Sequence, residues 1–102
     1  MAEFTSKEDK LYIDGKEVLR GWESFSGCYW FATEKVDTQD SYMGKLPDGT
    51  DDVAKDDTIF YGFVQMQEEE WGNFSLAELE RMGKYKVWEI PKKNLSYSGR
   101  RD

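Results

Sequence analysis

Carboxylates are the most abundant side chains in this chain that could do chemistry, and they fall into two groups. Asp48, Asp51, Asp52, Asp56 and Asp57 lie close together, as oxygen ligands for calcium would. Their spacing does not reproduce the alternating Asp register, closed by a Glu, of calcium-binding loops. The expectation is therefore a weak, screened attraction for divalent cations, with no specific metal site assigned. Glu68, Glu69 and Glu70 form the second group, at the end of one β-rich stretch, and Glu34 ends another. Pairing of those stretches could bring the carboxylates together as an acid–base pair or a cation site. Against that, a charge run at a strand end is ordinarily a solvated turn, and nothing sets the separation a glycosidase-type pair needs.

Histidine is absent, which removes Ser-His-Asp and Cys-His nucleophile pairs and every His-containing metal site. Cys28 opens an apolar stretch and reads as a small core residue rather than a nucleophile. No Cys-x-x-Cys, P-loop or Gly-x-Gly-x-x-Gly occurs, so no cofactor is expected. Trp71 is the first candidate for an exposed anchor, because Trp and Tyr concentrate at binding hot spots; the alternative is that it packs under a helix start beside Phe74. Lys84, Lys86, Lys92, Lys93, Arg100 and Arg101, interleaved with Tyr85, Trp88 and Tyr97, combine cations with rings as a single-strand nucleic-acid surface does.

The elements that must position these groups are short and mostly β-rich. Asp14-Gly15 separates two β-rich runs and predicts a two-residue hairpin turn, in which both residues need positive φ. Cys28 to Val36 alternates as a strand, with Cys28, Trp30 and Ala32 on one face and Tyr29, Phe31 and Thr33 on the other. Both faces begin apolar, so the strand is expected to be covered on both sides. Thr58 to Met66 reads as a central strand, with Gly62 marking a bulge or a large side chain packing across that position. Trp71 to Phe74 reads as a turn. Ser75 and Glu78 have capping-box spacing before a helix over Ser75 to Met82, Phe74 can staple onto Leu79, and Gly83 stands at the C-terminal cap. Lys86 to Ile90 gives a last strand, ended by Pro91.

A chain of 102 residues supports a single domain. Residues 1–9 read as a frayed start, 37–57 as a long acidic surface loop and 92–102 as a polar basic tail. The fold expected is α+β, a small antiparallel sheet of four to five strands with one short helix packed on it. A net charge of −7 disfavours duplex nucleic acid as a partner. The charge is uneven: residues 34–57 hold eight acidic and three basic side chains, whereas 84–101 hold six basic and one acidic. One cysteine and no leader pattern imply a reducing, cytoplasmic setting. No apolar run approaches the roughly 18 residues that span a bilayer, so no membrane partner is expected.

Trp30-Phe-Ala-Thr-Glu34, Phe60-Tyr-Gly-Phe-Val64 and then Glu70-Trp-Gly-Asn-Phe-Ser-Leu-Ala-Glu-Leu-Glu80 together resemble a family of small proteins of unknown function, carried mostly on bacterial plasmids and other mobile elements. The match covers residues 30–82, and Gly-x-Phe-Ser-Leu-x-Glu-Leu-Glu is its specific part. The resemblance implies a strand, strand, helix arrangement and a mobile-element setting, and it brings no activity. The insertion at 37–57 and the N-terminal hairpin depart from the pattern.

Three functions remain open. The first is a non-enzymatic protein-interaction or regulatory module, its surface formed by the aspartates of 48–57, Glu68, Glu69, Glu70 and Trp71, in one form imitating a phosphate backbone to block a nucleic-acid-binding protein. The others are a single-strand nucleic-acid binder using the basic tail, and a carboxylate enzyme or cation-binding protein centred on Glu34 and Glu68–Glu70.

Overall fold

The computed structural model describes residues 2–97. Asp14 and Gly15, with φ of 50° and 81°, form the expected tight turn between β2 (Lys10–Ile13) and β3 (Lys16–Glu17). The expected frayed start is corrected here, because Phe4–Lys7 is a strand, β1, paired antiparallel to β2. Phe4 anchors it: the ring meets Phe31 and Phe63 edge-on, at centroid distances of 5.7 and 5.8 Å. One aromatic side chain thus holds an otherwise polar segment to the domain.

The main sheet comprises β4 (Arg20–Ser24), β5 (Tyr29–Lys45), β6 (Asp51–Gln65), β7 (Glu69–Ser75) and β8 (Val87–Glu89), all antiparallel in the order β7-β6-β5-β4-β8. The sheet is covered on both faces, as the alternation in β5 requires. Phe31 packs with Leu11, Ile13, Val18, Phe63, Ile90 and Leu95 under the three-stranded sheet, while Trp30 and Ala32 join Trp22, Phe60, Leu79 and Val87 under α1 (Leu76–Arg81). The result is two antiparallel sheets of three and five strands with one short helix, a strand-dominated form of the expected α+β class. No helix among the described residues is long and apolar enough to cross a membrane.

Three further expectations are corrected. Residues 37–45 and 51–57 are the distal halves of β5 and β6, and the loop shrinks to the turn between them at 46–50. Asp is disfavoured in strands, but here cross-strand ion pairs and exposed faces accommodate it. Trp71 to Phe74 lies inside β7 rather than in a turn, so residues 30–82 hold a third strand before the helix. The tail begins with a 3-10 helix, Lys92–Tyr97, pinned by buried Leu95; residues 98–102, with Arg100 and Arg101, lie outside the described residues.

Gly62 sits where β5 bulges. Ala32 faces Gly62 and the register slips before Glu34 meets Tyr61. The Phe31 carbonyl then lies so close that a Cβ at Gly62 would overlap its oxygen. The expected bulge is there, on the facing strand, but what crowds Gly62 is the backbone of Phe31 and Ala32 and not the large side chain expected as the alternative.

Candidate functional site

Among the described residues, β4 does not pair with β5 beyond Ala32, and β7 does not pair with β6 on the arm side of Ile59. The two strands continue together as an arm closed by Leu46 to Thr50, where Asp48 Oδ1 accepts from the Thr50 amide at 3.0 Å and the Thr50 hydroxyl at 2.6 Å. These bonds hold the Asp48 carboxyl below its ordinary value.

Along the arm, ion pairs Asp40–Lys55 at 3.1 Å and Lys45–Asp51 at 2.8 Å bracket a directly opposed pair, Tyr42 and Val53. Both of these apolar side chains are exposed, Tyr42 by 62%. Asp52 reaches α1 instead and accepts from both terminal nitrogens of Arg81, which holds its carboxyl below the usual range. This fork fastens the arm to the helix. Asp52→Ala is expected to leave the melting temperature nearly unchanged, because the pair is solvated, while hydrogen exchange measures faster opening of arm amides.

Asp57 stands apart from the other aspartates. The register breaks between Gln39↔Asp57 and Ser41↔Ala54, and Asp56 adopts φ of 53°. Such a bulge re-aims the next side chain. Asp57 is consequently only 4% exposed, and it accepts from the hydroxyls of Ser41, at 2.6 Å, and of Ser75, and from the Ala77 amide at 2.8 Å. Ser75 in turn caps α1 by accepting from the Glu78 amide at 3.2 Å. Asp57 therefore ties the arm root to the helix start, and its expected place on a binding surface is corrected to a structural one.

The remaining candidates are dispersed. Glu68, Glu69 and Glu70 are exposed at the β6–β7 turn, and Glu69 faces Gln65, whereas Glu34 faces Tyr61. At about 3.3 Å per residue, the Tyr61 to Gln65 interval places these carboxylates roughly 13 Å apart along the sheet. The strand pairing does not bring Glu34 and the Glu68–Glu70 run together, so the acid–base reading loses its geometry. Trp71 is half-buried: it packs against Phe63 at 5.3 Å, stacks on Tyr61 at 5.9 Å and is capped by the Lys16 ammonium at 4.8 Å. Neither the exposed anchor nor the helix-start packing describes it.

A groove of about 460 Å³ opens between the arm root and the helix start, lined by Gln39, Asp40, Tyr42, Asn73 and Glu78 together with Ser41 and Ser75. Among the described residues no basic side chain is in its lining, although Lys55 pairs with Asp40 at the rim. Its rim offers carboxylate and amide acceptors around an exposed ring, the chemistry that receives a lysine or arginine side chain. Sequence reasoning missed Tyr42, Asn73 and Glu78. Pro47-Asp48-Gly49 was the available signal: read as a hairpin tip, it folds residues 37–46 onto 50–57 and sets Tyr42 opposite Val53. Compared with protein-family models, curated proteins and solved structures, the chain matches none.

Proposed function

We propose that this protein is a protein-interaction module, not an enzyme, and that its acidic arm and the groove at the arm root bind a partner with a basic surface. The observation that carries the reading is the acceptor-rich groove lined by Asp40, Tyr42, Asn73 and Glu78, at whose rim Lys55 is already taken up by Asp40. An exposed aromatic ring beside desolvating acceptors is the usual composition of an interface anchor. The excess of acid over base in residues 34–57 would steer a basic partner toward it.

Surfaces that are basic by design mostly meet phosphates, so a nucleic-acid-binding protein is the sharper form of the partner, blocked by carboxylates standing where phosphates would. The mobile-element setting implied by the resemblance over residues 30–82 accords with such a role.

The test is capture from host lysate by wild type beside a Tyr42→Ala/Glu78→Gln variant, with mass spectrometry of what is retained. Both positions are solvent-facing, so folding should be preserved and circular dichroism should coincide. The expected result is a basic protein held by wild type, released by raised salt or by duplex DNA, and captured at least tenfold less by the variant. Equal lanes, or a partner indifferent to both substitutions and to salt, would refute the assignment.

A further inference from the structure

A strand at the margin of a sheet offers a row of unpaired backbone N–H and C=O groups, and several margins of this molecule are blunted. β3 and β8 span two and three residues, and Pro91 follows closely on β8. β1 is four residues long and ends on Lys7. The arm half of β5 is broken by register shifts at Lys35/Asp37, Gln39/Ser41 and Tyr42/Lys45. β7 is different. It is the outermost strand beside β6, and its seven residues pair with β6 in unbroken register, from Glu69 opposite Gln65 to Ser75 opposite Ile59. Both of its faces are anchored, since Trp71 packs on Phe63 on one side and Phe74 packs on Trp22 and Phe60 on the other. A regular, anchored margin without proline or bulge is a template for one more strand, and little ordering of it remains for a partner to impose.

We propose that the outer edge of β7 takes up an extended basic segment of the partner as an added antiparallel strand. The inference rests on the proposed function and names how that partner is held. Neighbouring side chains of a strand point to opposite faces. Exposed Glu69 and Glu70 therefore call for two consecutive cations in the added strand, one on each face. Among the described residues neither glutamate forms an ion pair, although Gln65 Nε2 donates a long hydrogen bond to Glu69 at 3.5 Å. Lys16 lies nearby, but its ammonium sits on the ring faces of Trp71 and Tyr61, at 4.8 and 5.6 Å. Lys84 and Lys86 lead into β8 at the opposite margin, four strand spacings or roughly 19 Å across the sheet. At Gly72 nothing lies within 4 Å of a Cβ position, so a large apolar side chain opposite it has room to lean across the glycine. Asn73, Phe74 and Ser75 also line the groove beside Glu78, which makes edge and groove one continuous surface. The same glutamates, in a chain of net charge −7, oppose a second copy at this edge.

The probe is a fluorescent peptide with the core Thr-Val-Thr-Phe-Thr-Lys-Arg. In antiparallel register with β7, its Phe falls opposite Gly72 and its Lys and Arg opposite Glu70 and Glu69. Two further peptides carry backbone N-methyl groups on alternate residues, one at the odd and one at the even positions. In a strand pairing a single alternating set of amides faces β7. Fluorescence anisotropy is expected to show binding of the parent and of one methylated peptide, and binding at least tenfold weaker for the other. Hydrogen exchange should slow at alternate amides within 69–75. Glu69→Lys/Glu70→Lys alters two exposed side chains, so it should fold as wild type does and bind the parent peptide at least tenfold more weakly. No binding by wild type, an equal response to both methylation patterns, or protection confined to other strands overturns the proposal. So does protection of 69–75 that rises with protein concentration in the absence of peptide, which would assign the edge to a second copy. Failure of the peptide beside retained, Tyr42-dependent capture of a basic lysate protein removes this inference alone, whereas loss of that capture removes the proposed function itself.

Discussion

Replacing Gly62 with alanine is expected to destabilise the domain by about 4 kcal/mol or more, near the upper end for a single substitution. The added methyl would overlap the carbonyl oxygen of Phe31 and press on the backbone of Ala32. Backbone cannot swing aside as a side chain can, so relief requires β5 to lift away from β6 at the bulge. Phe31 and Ala32 sit at that point, one in each hydrophobic cluster, so both lose packing together. Gly72 supplies an internal control, because it faces Gly62 directly across the β6–β7 ladder and a Cβ there meets nothing within 4 Å. Gly72→Ala should therefore stay within about 1 kcal/mol of wild type. Urea unfolding of the two variants decides the matter: equal midpoints would mean that the close approach at Gly62 relaxes without cost.

The parts of the fold legible in the sequence are those in which a local pattern and the tertiary requirement agree. The Asp14-Gly15 turn, the two-faced start of β5 and the Ser75 cap each follow from a few neighbouring residues whose chemistry has one good solution. What escaped was decided at a distance. Arg20–Ser24 is too short and too mixed to announce a strand, yet hydrogen bonding to β5 on one side and β8 on the other makes it one. Residues 37–57 looked like a loop because aspartates outnumber β-formers, although a structureless run of that length was itself a reason for doubt. Asp40 and Lys55, or Lys45 and Asp51, become a pair only once the hairpin tip is located. The candidate site shared this fate. The aspartates of 48–57 read as one surface, but a bulge at Asp56 sends Asp57 inward and the helix claims Asp52, leaving Tyr42 and the groove beside it as the proposed place of binding.

Asp57→Ala is expected to cost roughly 2–4 kcal/mol, the range for stranding one buried and two part-buried donors and removing a helix-start acceptor together. Truncation leaves the Ser41 and Ser75 hydroxyls and the Ala77 amide without their acceptor, and it unties α1 from the arm root. Asp57→Asn, which preserves shape but turns one acceptor into a donor facing donors, should lose about 1–2 kcal/mol. The pH dependence follows from the sign of the shift. Burial pushes the Asp57 carboxyl upward, but hydrogen bonds from Ser41, Ser75, Ala77 and Thr58 outweigh it, and the folded value ends below the ordinary 3.8. A carboxyl whose folded value is depressed stabilises the fold in full well above pH 3.8, and the contribution disappears as pH falls through the lower folded value. Asp40, Asp48 and Asp52 are depressed too, but they occur in both proteins and cancel in a difference. The gap in unfolding free energy between wild type and Asp57→Asn should thus be constant at neutral pH and narrow below 3.8. A gap that persists unchanged into strong acid would mean that the lost stability is steric rather than ionic, and that the arm is joined to the helix by packing instead of by this carboxylate.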